Sequence, residues 1–123
     1  MLFRSRPFWQ KQQVLERLKA EIASDETALK QRQAEYEQAV RAFNAEVVKF
    51  NQRASTTGGF QTQAEFQARR AELASRQAQL RQSQSQLTTA ITQLNQKIDQ
   101  YNQTNLAMQE LNRSLDSLDT LND

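Results

Sequence analysis

The sequence of 123 residues contains no cysteine and no histidine, and these absences exclude several kinds of chemistry. Disulfides and thiolate nucleophiles need cysteine, while the usual zinc sites and the Ser-His or Cys-His catalytic systems need histidine or cysteine. The acidic residues, such as Glu35 and Glu37, are interspersed with basic ones as on a solvated helix face. We therefore predict that the chain is not an enzyme and has no catalytic residue, no metal site and no cofactor.

Proline occurs once and glycine twice, so the residues that most often interrupt helices are nearly absent. Apolar residues make up 37% of the chain, which is too few for a compact globule of this length, whereas a helix needs only one apolar stripe. No apolar run approaches the roughly 20 residues that span a bilayer. The formal net charge of +2 does not favour nucleic acid as a partner.

Large apolar residues recur at intervals of seven in two series, one on each side of the glycines. The first series is Phe8, Leu15, Ile22, Leu29, Tyr36, Phe43 and Phe50. The second is Phe66, Leu73, Leu80, Leu87, Leu94, Tyr101 and Met108. We call these fourteen the stripe residues. Sustained heptad spacing predicts that they form the seam between two long helices.

The two series are mirror images about Gly58, so that Phe50 matches Phe66 and Phe8 matches Met108. This symmetry predicts that the chain folds back on itself at the glycines. The predicted fold class is all-α, a long antiparallel two-helix coiled-coil hairpin. Its dimerisation into a four-helix bundle is a further hypothesis.

The glycines and the residues after them predict how the bend is made. Gly58, beside Gly59, is expected to take the left-handed conformation that ends the first helix. Thr62 and Glu65 have the spacing of a capping box, which predicts the start of the second helix.

These signals divide the chain into segments of one elongated domain. We predict a basic and aromatic N-terminal segment over 1–6, a first helix over 7–57, a Gly-Gly bend over 58–61 and a second helix over 62–121.

The positions between stripe residues predict uneven packing. Near the open end, Leu18 is expected opposite Ile98, whereas polar residues such as Gln84 occupy these positions in the middle. Nearer the bend, Glu46 is expected opposite Arg70. The middle of the seam is therefore predicted to be thin and wet.

The open end of the hairpin is the predicted contact surface, because the second helix continues past Met108 with leucines that have little intrachain cover. The possible partner surface consists of Phe3, Trp9, Leu111, Leu115, Leu118 and Leu121. The expected partner is another protein or a second copy of the chain. The N-terminal stretch LFRSRPFW alternates aromatic and basic residues, which fits packing onto the open end, a partner surface or peripheral membrane contact.

A dipeptide pattern in which asparagine follows a stripe residue recurs at Phe43-Asn44, Phe50-Asn51, Leu94-Asn95 and Tyr101-Asn102. With the stretches FNAEVVKFNQ, GGFQTQAEF and IDQYNQTNLAMQELN, it resembles the helical coiled-coil segment that precedes matrixin-like zinc metalloprotease domains in exported bacterial proteins. The similarity covers about residues 40–115, and the zinc-binding His-Glu-x-x-His motif of the family is missing. The resemblance therefore implies a spacer role and an extracytoplasmic or membrane-associated bacterial setting, without protease activity.

Together these patterns predict a non-catalytic structural or interaction protein. It would serve as a helical-hairpin spacer or assembly subunit that binds protein partners through its open, leucine-rich end. Two alternatives stay open: an electrostatic binder of nucleic acid or anionic membrane surfaces, and a holdase-like chaperone. Binding of the electrostatic kind would fade steeply as salt rises.

Overall fold

The structure, a computed structural model, describes the backbone of residues 6–122 and the side chains of residues 6–116. Two α-helices, α1 (Arg6–Ser55) and α2 (Gln63–Asn122), pack against each other as a helical hairpin. Within residues 6–122 no strand occurs. The predicted all-α fold class and the chain reversal between two long helices are confirmed.

α1 ends at Ser55, two residues earlier than predicted, because hydroxyl side chains bond to one of its last carbonyl groups. Ser55 Oγ donates to the carbonyl oxygen of Gln52 at 3.1 Å, and Thr56 Oγ1 donates to the same oxygen at 2.7 Å. The bend therefore covers residues 56–62 and is longer than the predicted 58–61.

The two glycines have different roles in the bend. Gly58 has a φ of 78°, the left-handed conformation that glycine adopts without steric cost. It lies three residues beyond Ser55, so it shapes the turn of the bend and does not cap the helix end as predicted. Gly59 donates its amide to the Thr56 carbonyl oxygen at 3.0 Å, and a Cβ atom there would lie 1.9 Å from the Arg53 carbonyl oxygen.

α2 begins at Gln63, one residue later than predicted, with Thr62 as its N-cap. Thr62 Oγ1 accepts a hydrogen bond from the Glu65 amide at 3.1 Å, and the Thr62 carbonyl oxygen accepts one from the Phe66 amide at 3.2 Å. The return bond of the predicted capping box is displaced by one residue, because Glu65 Oε2 accepts from the amide of Gln61 at 3.2 Å.

Within the hairpin the chain divides into two compact units, and its description as one elongated domain stays a prediction. Unit 1 combines Met1–Ala28 with Ile91–Asp123. Its buried apolar side chains are Leu15, Leu18 and Leu94, of which Leu18 is the most buried at 2% exposure. Ile98, the predicted counterpart of Leu18, is half-buried. A second apolar position between stripe residues thus gives this unit a continuous core.

Unit 2 comprises Leu29–Ala90 and includes the bend. Leu73 is its one fully buried apolar residue among those described. The positions between its stripe residues are largely exposed, as at Arg32, Gln77 and Gln84. The thin packing predicted for the middle of the seam is therefore what this unit shows.

Every stripe residue is at least half-buried. Leu15, Leu73 and Leu94 are fully buried, and the other eleven are intermediate in exposure. The heptad spacing therefore identified the inward face of both helices.

Candidate functional site

An aromatic cluster in unit 2 joins the bend to the two helix ends next to it. The ring centroids of Phe50 and Phe66 are 5.3 Å apart, as the mirror symmetry of the sequence predicts. Phe60, from the bend itself, completes the cluster at 5.5 Å from Phe50 and 5.3 Å from Phe66. Such tilted and edge-on contacts stabilise aromatic groups beyond their burial alone.

Arg53 ties the end of α1 to the bend and to the start of α2. Its guanidinium carbon lies 4.2 Å from the centroid of the Phe60 ring, and its Nε donates to the Gly59 carbonyl oxygen at 3.0 Å. Its Nη2 forms an ion pair with Oε1 of Glu65 at 2.7 Å. The hydrogen bond from Arg53, followed by that from the Gln61 amide, lowers the pKa of Glu65. These contacts join the end of α1, the bend and the start of α2.

A charged cluster flanks the seam near Leu73. Arg69 bonds to Glu46 across the two helices and to Glu72 on its own helix at 2.8 Å. Glu72 also pairs with Arg76 at 3.2 Å. The hydrogen bond to Glu72 raises the pKa of Arg69. The partner of Glu46 is thus Arg69 and not the predicted Arg70.

The choice of Arg69 has a geometric cause. Glu46 and Arg69 each lie three positions after a stripe residue, whereas Arg70 lies four positions after one. Residues three and four positions away fall on opposite sides of the stripe. Arg70 accordingly lies on the other side and is exposed.

Unit 1 has its own ion-pair cluster. Lys97 Nζ lies 2.6 Å from the Asp25 carboxylate and 3.7 Å from that of Glu21. Glu21 lies 3.9 Å from Arg17 one turn earlier. The hydrogen bond from Lys97 to Asp25 raises the pKa of Lys97. All these side chains are part-exposed, so the cluster contributes little to stability.

An open groove runs along one side of the seam in unit 2. It consists of two adjoining cavities of about 310 and 330 Å³ that share Ala39, Leu80 and Ser83. The first is lined further by Arg32, Glu35, Tyr36, Gln86 and Leu87, and the second by Ala42, Phe43, Arg76 and Gln79. The small residues Ala39 and Ser83 create the space, because they leave the larger stripe side chains on either side uncovered.

Few large apolar side chains of the described region are exposed to solvent. Trp9 (48% exposed), Ile91 (42%) and Leu106 (60%) belong to unit 1, and Val48 (53%) belongs to unit 2. Trp9 contacts Phe8 edge-on, with ring centroids 5.6 Å apart. Among the described residues of unit 1, Leu106 and Trp9 are the most exposed large apolar side chains.

The predicted partner surface is only partly placed by the structure. Trp9 is exposed, whereas Leu111 and Leu115 are half-buried. Phe3 lies outside the described residues, and so do the side chains of Leu118 and Leu121.

Comparison with family models, curated proteins and solved structures finds no match to this chain. Over the described residues no helix has the length and hydropathy to cross a membrane. The same part of the chain holds no cluster of three or more acidic residues arranged to bind a metal ion. The resemblance to the segment that precedes matrixin-like proteases stays a prediction.

Sequence reasoning missed Phe60 and Leu106, and both carry a signal that could have found them. Phe60 directly follows two glycines, and a large aromatic residue at that point of a short bend needs a partner to cover it. Leu106 lies five positions after Tyr101 and so falls outside the heptad stripe. Its place off the stripe on a polar helix predicts an exposed apolar side chain, and this is the signal in the sequence.

Proposed function

We propose that this chain is a non-catalytic helical-hairpin interaction element, an assembly subunit that associates through the outer surface of unit 1. The observation that carries the proposal is the 60% exposure of Leu106 on a helix whose other outward residues are mostly polar. A leucine at such a position gains from being covered by another protein surface, at roughly 25 cal/mol per Å² of apolar area removed from water.

The charge distribution and the packing of the hairpin support an association role over an electrostatic one. Six basic residues of unit 2 have no hydrogen bond or ion pair within the described residues: Lys30, Arg32, Arg41, Lys49, Arg70 and Arg81. They occupy five different positions of the heptad, so they surround the helices and form no single basic stripe. A nucleic-acid or membrane binder would gather such charges on one face.

The resemblance to the helical segment that precedes matrixin-like zinc metalloprotease domains adds a biological setting to this proposal. A hairpin that precedes a protease domain would act as a spacer and association element in an extracytoplasmic or membrane-associated bacterial protein. The holdase-like role is the weaker alternative, because it needs a broad apolar surface, and large exposed apolar residues are few between positions 6 and 116.

The proposal is tested by measuring self-association of the purified chain over a wide concentration range. Light scattering should show the molar mass rising from that of a monomer, 14.2 kDa, toward that of a dimer or tetramer. Trp9 is the one tryptophan of the chain, so its emission reports on unit 1 directly. A strictly monomeric chain at the highest concentration, with unchanged Trp9 emission, would overturn the proposal.

A further inference from the structure

The groove of unit 2 is long enough to contact about three turns of one further helix. Between Arg32 and Phe43 it extends about 17 Å, or roughly three helical turns. Ala39, Ala42 and Ser83 permit close approach of a helix, and Phe43 offers an apolar contact beside them. An arginine lies at each end: Arg32 has no ion pair among the described residues, and Arg76 pairs with Glu72 at 3.2 Å. Glu35 is the one acidic residue among those that line the groove.

α2 carries a complementary ridge within unit 1. Asp99, Leu106 and Glu110 are spaced by seven and four residues, so they lie on one face of the helix. All three are exposed, and neither acidic residue has an ion-pair partner within the described residues. This face therefore presents one apolar side chain between two free carboxylates.

Net charge also distinguishes the region that contains the groove from the C-terminal region that contains the ridge. Residues 29–90 contain nine lysines and arginines against five glutamates, a formal charge of +4. Residues 99–123 contain one arginine against five acidic residues, a formal charge of −4. Opposite charges of this size favour the approach of one region to the other in a second molecule, and they disfavour contact between like regions.

We propose that the groove of unit 2 binds the Asp99–Leu106–Glu110 face of α2 from a second copy of this chain. Leu106 enters the space beside Ala39 and Ser83, and the two carboxylates face Arg32 and Arg76. Every copy carries both the groove and the ridge, so one copy can present its ridge to the groove of another. The inference rests on the proposed function and names the partner of the exposed Leu106.

A charge exchange tests the electrostatic part of the contact. The groove variant carries Arg32→Glu and Arg76→Gln, and the ridge variant carries Asp99→Arg and Glu110→Arg. We expect each variant alone to lose the dimer. In the groove variant Arg32→Glu sets a carboxylate against the acidic ridge, and in the ridge variant arginines face the arginines of the groove. Mixed in equal amounts, the two should form a heterodimer, since both contacts are again between opposite or neutral charges. Circular dichroism of each variant confirms that the hairpin still folds.

Substitution of Leu106 tests the apolar part. Leu106→Gln should weaken self-association about tenfold or more, because a leucine side chain is left out of the interface. Val48→Gln is the matched control: Val48 is similarly exposed on a helix and lies outside both the groove and the ridge. Its substitution should leave the dissociation constant unchanged.

The outcomes separate the two proposals. Self-association that is weakened by Leu106→Gln but is insensitive to the groove variant would overturn this inference and leave the proposed function standing. Self-association that is insensitive to Leu106→Gln as well would overturn both, because the exposure of Leu106 supports both. A wild-type chain that stays monomeric would overturn both. Loss of self-association in each single variant, with recovery in the mixture, would support the assignment of groove and ridge.

Discussion

The two adjacent glycines at the bend are required for different physical reasons, and substitution separates these reasons. Gly58 needs a backbone conformation that other residues adopt at a cost of about 1–2 kcal/mol. Gly59 needs space, because a Cβ atom would collide with the backbone oxygen of Arg53. A flexible side chain could move away from such a collision, but the last turn of α1 cannot move without breaking hydrogen bonds.

We therefore predict that Gly59→Ala destabilises the hairpin more than Gly58→Ala does. The expected losses are about 2–3 kcal/mol for Gly59→Ala and about 1 kcal/mol for Gly58→Ala. Urea unfolding followed by circular dichroism measures both. Gly58→Asn is the control, since asparagine tolerates the left-handed conformation and should cost less than alanine. Equal losses for the two alanine variants would contradict the distinct roles.

Glu65 predicts a pH dependence at the same bend. Its pKa is lowered in the folded chain, first by the hydrogen bond from Arg53, so the charged form is favoured by folding. The contact therefore stabilises the fold above the ordinary value of 4.5, and this contribution is lost as the pH falls through the folded pKa.

Glu65→Gln should lower the free energy of unfolding at neutral pH, and the difference from wild type should disappear in acid. Thermal unfolding across a pH series measures this. Glu37→Gln is the matched control, because Glu37 is exposed and has no ion-pair partner within residues 6–122. A constant difference between Glu65→Gln and wild type at every pH would contradict the assignment.

At the scale of the helices, burial is concentrated in a few leucines of unit 1. Leu18 lies between stripe residues and is 2% exposed, whereas Leu80 is a stripe residue of unit 2 and only half-buried. Removing a well-buried side chain costs both the lost transfer energy and the energy of the cavity that remains.

Leu18→Ala is therefore expected to destabilise the hairpin by about 2–4 kcal/mol, and Leu80→Ala by about half as much. Denaturant unfolding of the two variants provides the comparison. The prediction fails if Leu80→Ala is the more damaging substitution, since stability would then depend on the thin seam of unit 2.

The helices were predictable because their signals are redundant. Heptad spacing, the mirror relation of the stripe residues and the glycine pair all favour the same hairpin. The ends of the helices were less predictable, because they depend on single hydroxyl groups such as that of Thr56. Element boundaries follow local hydrogen bonds, and periodicity contains no information about these.

The partners in the ion pairs were predicted poorly, because the prediction ignored the direction in which side chains point along their helix. The mirror relation places Lys97 opposite position 19, yet Lys97 pairs with Asp25. Side chains lean toward the N-terminus of their own helix. In the antiparallel hairpin Lys97 therefore leans toward the bend and Asp25 leans away from it. Because Asp25 lies nearer the bend than position 19, the two side chains meet. A prediction that compared only the positions of Cα atoms along the helix axes could not find this contact. It could not find the groove either, because the groove depends on side-chain volumes.

At the scale of the whole molecule, the two units are expected to differ in local stability. Among residues 6–116, unit 1 contains three of the four fully buried apolar side chains, whereas unit 2 contains one and also has an open groove. Regions with few buried apolar contacts open more readily, and amide hydrogen exchange reports such opening.

We predict that at low protein concentration amides near Ala39 and Ser83 exchange faster than those near Leu18 and Leu94. All four positions lie inside helices, so fraying of helix ends does not enter the comparison. If a second copy occupies the groove, exchange near Ala39 and Ser83 should slow as the concentration rises, because bound molecules open less often. The Leu106→Gln variant should keep fast exchange there at every concentration. Slower exchange in unit 2 than in unit 1 of the dilute wild-type chain would show that the buried leucines do not govern local stability.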